Sequence, residues 1–507
     1  MSYVDAYIDR ERDRIHIVER VNGNREYREY PANYVFYYND PRGKHRTIYD
    51  TSVSRFSTRN RNEFQKEIKI QGHKDLYESD INPVFRCLEE NYLNAEPPKL
   101  QTAFFDIEVD FDKEKGYSNP DDPFNAITAI TLYLDWSEQL VTLAIPPSAM
   151  TMETAEDLCK RFDNTYLFTS EAEMLKVFLD LIEDADIISG WNSEGYDIPY
   201  TVNRITRVLS KDDNRKWCLW GQQPKKRTFE RFGKESVTFD LVGRVHLDYM
   251  QLYRKYTYEE RHSYTLDAIG EYELDERKVQ YEGTLDQLYN QDFEKFIDYN
   301  RQDTLLLNKL DKKLRFIDLS NVLAHENTVL LMTTMGAVAV TEQAIINDAH
   351  ARGMVVPNRK SRNDEQTTAA GAYVAYPKKG LHDWIGAIDI NSLYPSVIRA
   401  LNMGPETVVG QLRQTMTNNA VREHMLNKKS FADAWEGEFG SKEYQAVMNM
   451  ERGTEITIDW ENGEEDVCSA YDVWRLIFDS NQPWTLSANG TISVSYTHLR
   501  AHETMAH

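Results

Sequence analysis

Asp106 and Glu108 stand two apart in the stretch Phe104 to Phe111, FFDIEVDF. The run is short, apolar and suited to a pleated strand. Side chains two apart on a strand share a face, so the two acids point one way and Phe105, Ile107 and Val109 the other. Adjacent acids on an apolar strand repel each other and are costly to desolvate. A hard divalent cation, Mg²⁺ or Mn²⁺, is the usual remedy; an edge strand with a solvated acidic face fits this stretch alone equally well. Asp197 closes Asn192-Ser-Glu-Gly-Tyr-Asp197, at the join of a strand-turn and a helix, where an acid also serves as a cap. Tyr299 and Asp303 are four apart on one face of the amphipathic stretch Phe293 to Leu314, where an exposed helix face is the plainer account. Together the four carboxylates suit a phosphodiester site with two cations ~3.5–4 Å apart. The tyrosine hydroxyl would hold the attacking water in line.

The elements that must position these groups follow from the patterning. From Leu100 the chain is α/β, with strands at Ile127 to Leu134, Leu140 to Ile145 and Asp186 to Ser189. Helical periodicity runs from Ala172 to Ala185 and from Asp197 to Leu209, an order that suits a compact nuclease fold. Residues before Glu96-Pro-Pro-Lys99 are mostly β, with alternation at Arg14 to Val21 and an aromatic run at Tyr34 to Tyr38. Lys225 to Leu241 predicts a hairpin around Phe232-Gly233-Lys234, and Lys312 to Gly353 a run of helices.

With 507 residues the chain has room for roughly three domains. No run approaches the ~18 apolar residues of a membrane span, and the N-terminus lacks the apolar centre of a secretion signal. The four scattered cysteines show no metal-ligand spacing and fit free thiols in a reducing cytoplasm. A net charge of −23 opposes nucleic acid as a partner for the surface as a whole. Local basic tracks such as Pro224 to Lys234 and Pro377 to Lys379 leave that partner open.

FDIE, N-x-x-x-Y-D and Y-x-x-x-D, in this order, resemble the three exonuclease motifs of family B DNA polymerases. The resemblance implies an RNase H-like 3′→5′ proofreading domain with two Mg²⁺ or Mn²⁺ ions. By position, Asp106, Glu108, Asp197 and Asp303 would be metal ligands, Tyr299 would orient the water and Asn192 would contact substrate. Asp248, in His246 to Tyr253, reads as structural. Further on, Gly371-Ala-Tyr-Val374 resembles the loop that touches template. Trp384 to Ile390 predicts a buried strand ending in the acid Asp389, and Ser392-Leu-Tyr-Pro-Ser-Val-Ile-Arg399 a turn into a helix, with Pro395 in its first turn. An acid at a strand end followed by helix-start amides makes a metal-triphosphate site. D-x-x-S-L-Y-P-S resembles the family's first polymerase motif, and Ile390 to Gly410 is similar to the replicative polymerases of T-even-type bacteriophages. The resemblance implies that Asp389 binds catalytic metals, that Ile390, Ser392 and Leu393 line the triphosphate, and that Tyr394 lies under the sugar and excludes a 2′-hydroxyl.

Between Asn402 and His507 there is neither the D-T-D hairpin nor the N-S-x-Y-G fingers end of that family. Pro483 to Ile492 resembles the palm segment leading to the fingers, and Ser495 to His507 is foreign in composition. The expected layout is an N-terminal domain at 1–97 completed by 316–360, an exonuclease domain at 98–315, a partial palm at 361–494 and a foreign or disordered tail at 495–507. The reading is the N-terminal part of a replicative DNA-directed DNA polymerase, truncated before the fingers, in which exonuclease activity is expected and polymerisation is not. Its expected partners are primer-template DNA, a single-stranded 3′ end and, for the full-length protein, deoxynucleoside triphosphates. A sliding clamp would be bound through a C-terminus beyond this chain, no membrane is involved, and the place of action would be the host cytoplasm. The alternatives are a stand-alone 3′→5′ exonuclease and a non-catalytic DNA-binding remnant.

Overall fold

The computed structural model describes residues 2–72, 75–231, 234–359, 377–390, 392–404, 407–427 and 439–494. The chain divides into two compact units, Met1–Ser361 and Arg362–His507.

The first unit opens with β1 (Tyr3–Asp9), β2 (Arg14–Val21) and β3 (Asn24–Pro31), an antiparallel meander. A second small sheet gathers β4 (Tyr34–Asn39), β5 (His45–Thr47), β6 (Ser52–Thr58) and, beyond α1 (Arg61–Gln71), β7 (Leu76–Tyr77). Tyr34, Phe36, Phe64 and Tyr92 pack under both sheets with α2 (Pro83–Tyr92), whose start combines an Asn82 cap with Pro83 at the first position.

The central layer is a six-stranded mixed sheet. It is built from β8 (Thr102–Val109), β9 (Ile127–Leu134), β10 (Gln139–Ala144), then α3 (Met152–Cys159), β11 (Thr165–Leu167), α4 (Glu171–Leu181) and β12 (Ile187–Gly190). α5 (Asp197–Val208), the hairpin β13 (Lys225–Arg231) and β14 (Lys234–Asp240), and β15 (Val245–Asp248) follow. The strand order is β11-β10-β9-β8-β12-β15. β9 runs antiparallel to its neighbours, and β12 is parallel to both β8 and β15. Every residue of β9 is buried, the mark of a strand covered on both faces. At Gly190 an added Cβ would stand 2.9 Å from the Phe105 carbonyl oxygen, so only glycine lets β12 end this close to β8.

Helices α6 (Tyr249–Tyr256), α7 (Leu266–Leu274), α8 (Leu285–Gln291) and α9 (Phe293–Leu314) complete this layer. α9 runs 22 residues from an Asp292 cap to an αL residue, Arg315, and packs on β8, β9 and β10. The chain then returns to the first residues. α10 (Phe316–Glu326) and α11 (Ala337–Ala351) lead to β16 (Met354–Val355), which pairs in parallel with β5. The Tyr3 hydroxyl donates to the Val329 carbonyl at 2.7 Å, and its ring stacks on His325 at 4.2 Å.

In the second unit α12 (Leu393–Leu401) is followed by β17 (Val408–Leu412), α13 (Thr415–Leu426), α14 (Lys442–Met448), β18 (Glu455–Trp460), β19 (Glu465–Ser469), α15 (Ala470–Trp474), β20 (Trp484–Leu486) and β21 (Thr491–Val494). The five strands form one antiparallel sheet. One expectation fails here. Trp384 to Ile390 is not a buried strand but an exposed, unpaired stretch, with Trp384 and Ile388 essentially fully exposed. An apolar run specifies burial but not a neighbour, and among the described residues no strand lies beside it to satisfy its backbone. Gly371 to Val374, Phe232, Gly233 and Ser495 to His507 lie outside the described residues.

Candidate active site

β8 carries the first two acids and ends in the middle of the sheet. Period-2 alternation sends Phe105 and Ile107 into the core beneath α4 and α5, and leaves Asp106 and Glu108 on the α9 side. α9 brings Asp303 over the same strand. Oxygens of Asp106, Glu108 and Asp303 all lie within 4.8 Å of one another. Asp197, the first residue of α5, is buried next to them: its Oδ1 accepts from the Ile107 N–H at 3.4 Å, and its charge is felt by both Asp106 and Glu108. Three of the four predicted acids thus form one cluster, and the fourth adjoins it from the neighbouring helix.

So many acids in one dry place hold their protons tightly. Burial is the first cause, and mutual repulsion the second, of a Glu108 carboxyl pushed up to about 8. Burial lifts Asp197 to about 7 against the backbone N–H groups that hold it down, lifts Asp303 against the opposing Lys278 charge, and together with the neighbouring acids lifts Asp106 well above the carboxylate range. Burial pulls the Lys278 pKa down, but Asp303, Tyr299 and Asp106 outweigh it and hold the ammonium charged. Lys278 pairs with Asp303 and donates to the Tyr299 hydroxyl at 3.2 Å. Tyr281 meets the Tyr299 ring edge-on at 5.3 Å.

Two residues here escaped the sequence reading. Lys278 lies between α7 and α8, where no periodicity or motif marks it. Asn300 had a signal: Asn300, Asp303 and Thr304 interrupt the buried stripe of Phe296, Ile297, Leu306 and Leu307 on α9. Buried polar residues in an apolar stripe need partners.

The donor set fits a hard divalent cation. All its ligands are carboxylate oxygens, and the buried Asp303 Oδ1 has no hydrogen-bond partner within the protein. Asn192 stands in the left-handed region (φ 61°) on the turn between β12 and α5. Asp248 is structural: it caps α6 through Met250 and Gln251 and accepts from the Asn192 and Glu194 N–H groups, pinning that turn. The other predicted group of residues is not assembled into a cluster. Asp389 and Ile390 lie in the exposed stretch, Ser392 caps α12 in the left-handed region, Leu393 begins that helix, and Tyr394 is 73% exposed.

The sequence model described as DNA polymerase family B, exonuclease domain, matches residues 45–269, and that of DNA polymerase family B matches 327–448, together more than half of the chain. The chain belongs to DNA polymerase family B. Its six-stranded layer is accordingly an RNase H-like exonuclease domain, although the matched residues stop short of Asp303. Among curated relatives of this family B chain, the DNA-directed DNA polymerase of Escherichia phage RB69 is 26% identical over 375 residues, 70% of this chain and 41% of the relative. That of Enterobacteria phage T4 is 29% identical over 248 residues, 48% of this chain and 27% of the relative. The DNA polymerase of Thermococcus litoralis is 26% identical over 265 residues, 49% of this chain and 15% of the relative. The chain spans less than half the length of these relatives. Among the described residues no helix is long and apolar enough to cross a membrane.

Proposed function

We propose that this chain shortens DNA from its 3′ end by metal-dependent hydrolysis, as the proofreading part of a replicative DNA polymerase. The observation that carries it is the cluster of Asp106, Glu108 and Asp303 with a buried, unpartnered oxygen. Asp197 joins these three as a ligand in this reading. Bound Mg²⁺ or Mn²⁺, as a pair, supplies charge to activate a water and to stabilise the departing oxygen. The protein's own groups do the rest. The acids would hold the ions, the Tyr299 hydroxyl would line up the attacking water, and Lys278, charged and paired with Asp303, would add positive charge to the site. Asn192, on the pinned turn, contacts the frayed strand. Asp389, Ile390, Ser392, Leu393 and Tyr394 are the polymerase-site residues of the longer protein, which would use deoxynucleoside triphosphates and a sliding clamp in the host cytoplasm. With Asp389 in an exposed stretch and in no cluster of three or more metal-ligating side chains among the described residues, shortening rather than extension is expected.

A 5′-labelled primer on a longer template, given Mg²⁺ with and without deoxynucleotides, tests this. The expected result is a ladder of shortened products that Asp106→Ala reduces by at least ~10³-fold. An intact primer with the unaltered chain refutes the nuclease reading, and primer extension refutes the assignment of this chain to shortening alone.

A further inference from the structure

A row of polar residues crosses the six-stranded sheet beside the acid cluster. Strand register aligns Asp106 with Thr131, Thr131 with Thr142, and Thr142 with Thr165, on β8, β9, β10 and β11 in turn. Thr131 and Thr142 are completely buried. Valine has nearly the same shape and asks for no hydrogen bond, so threonine in a sheet interior calls for a reason. α9 supplies the partners. Arg301 Nη1 donates to Thr142 Oγ1 at 3.0 Å and to Thr165 Oγ1 at 3.1 Å. The Thr142 and Thr131 hydroxyls are 3.0 Å apart. Thr131 Oγ1 donates to Asn300 Oδ1 at 2.5 Å, and Asn300 Nδ2 donates to Asp106 Oδ2 at 2.8 Å.

The chemistry of its two ends gives this chain of bonds one direction. A guanidinium can only donate and a carboxylate that has given up its proton to bind a cation can only accept, while each hydroxyl between has a single hydrogen. Thr142 therefore donates to Thr131, Thr131 to Asn300, and the Asn300 amide has its NH₂ turned to Asp106. Buried bonds aligned head to tail reinforce one another.

We propose that Asn300 is a positioning residue for Asp106, its amide locked in one orientation by the threonine row so that the Asp106 carboxylate is held ready for the cation. This rests on the reading of the acid cluster as a metal site. Partners that orient a metal ligand are worth about 10–100-fold in metal affinity.

The test uses the full chain and titrates Mn²⁺ by calorimetry, with thermal melts alongside. Asn300→Ala should weaken Mn²⁺ binding about tenfold or more. Thr131→Val, which breaks the row one link away and touches no acid, should weaken it severalfold, and Thr131→Ser should restore it. If Asn300→Ala does not fold, the Thr131 pair carries the comparison. Wild-type Mn²⁺ affinity in Thr131→Val, whatever its melting temperature, would mean that the row only docks α9, and the proposal falls. A wild-type chain that binds Mn²⁺ but leaves DNA intact refutes the nuclease reading while these affinities still decide the role of Asn300. Absence of Mn²⁺ binding by the wild type overturns both.

Discussion

Lys278 is the cation paired directly with Asp303 in a pocket shared by several acids, and the balance between them sets how the protein responds to pH. Glu108 at about 8 and Asp197 at about 7 hold protons that the unfolded chain gives up near pH 4. A raised carboxyl stabilises the fold fully below its unfolded value and loses that contribution as pH rises through the folded one. The metal-free protein should therefore lose stability between about pH 4 and pH 8. Divalent cations replace those protons, so the rise in melting temperature on adding Mg²⁺ should grow from pH 6 to pH 8. Melts at pH 6, 7 and 8 check this, and an increment that does not change with pH sinks it. That Asp106, Glu108 and Asp303 face one another was legible because strand and helix periods fix which way such acids point. Lys278 was not, since a connecting segment has no period to reveal where its side chain ends up. Asp389 lies in an exposed stretch, and a motif read along the chain does not say which side chains stand beside it.

Elements whose signals were redundant came out as read. Phe293 to Leu314 has a cap before it, a buried stripe along it and basic residues in its last turn, so both ends were fixed locally. Trp384 to Ile390 had one signal, apolarity, and that signal names no partner. The seating of α11 on α2 could not be read at all, because it depends on charges far apart in sequence. His350 Nδ1 lies 2.7 Å from Glu89 and its Nε2 3.0 Å from Glu78, a fully buried acid that also accepts from Arg86 and from the Val356 N–H. Burial would lower the His350 pKa, but the two glutamates outweigh it and hold the ring at about 9. A raised histidine contributes stability that is complete below about pH 6.5 and fades as pH passes about 9. His350→Ala should cost roughly 2–4 kcal/mol at pH 7. That cost should shrink above pH 9, and denaturant melts of both proteins at pH 7 and pH 10 measure it. An equal cost at both pH values would mean that the ring acts only by packing.

At the scale of the whole molecule, the acids, the threonine row and the return to β5 all belong to the first unit. A chain ending at Arg359 should therefore keep the Mg²⁺-dependent rise in melting temperature of the 507-residue chain. Loss of that rise would show that the second unit supports the site. The discontinuity itself was beyond sequence patterning, since a two-residue strand such as Met354–Val355 carries no periodic signal. It also has a consequence for how the protein is made. β5 emerges from the ribosome about 300 residues before the strand that completes its sheet, an interval of some tens of seconds at ordinary rates of synthesis. The six-stranded layer can collapse within that time, whereas β5 waits with an unpaired edge. Translation thus completes this small sheet last, and β5 stands as an open edge until β16 emerges.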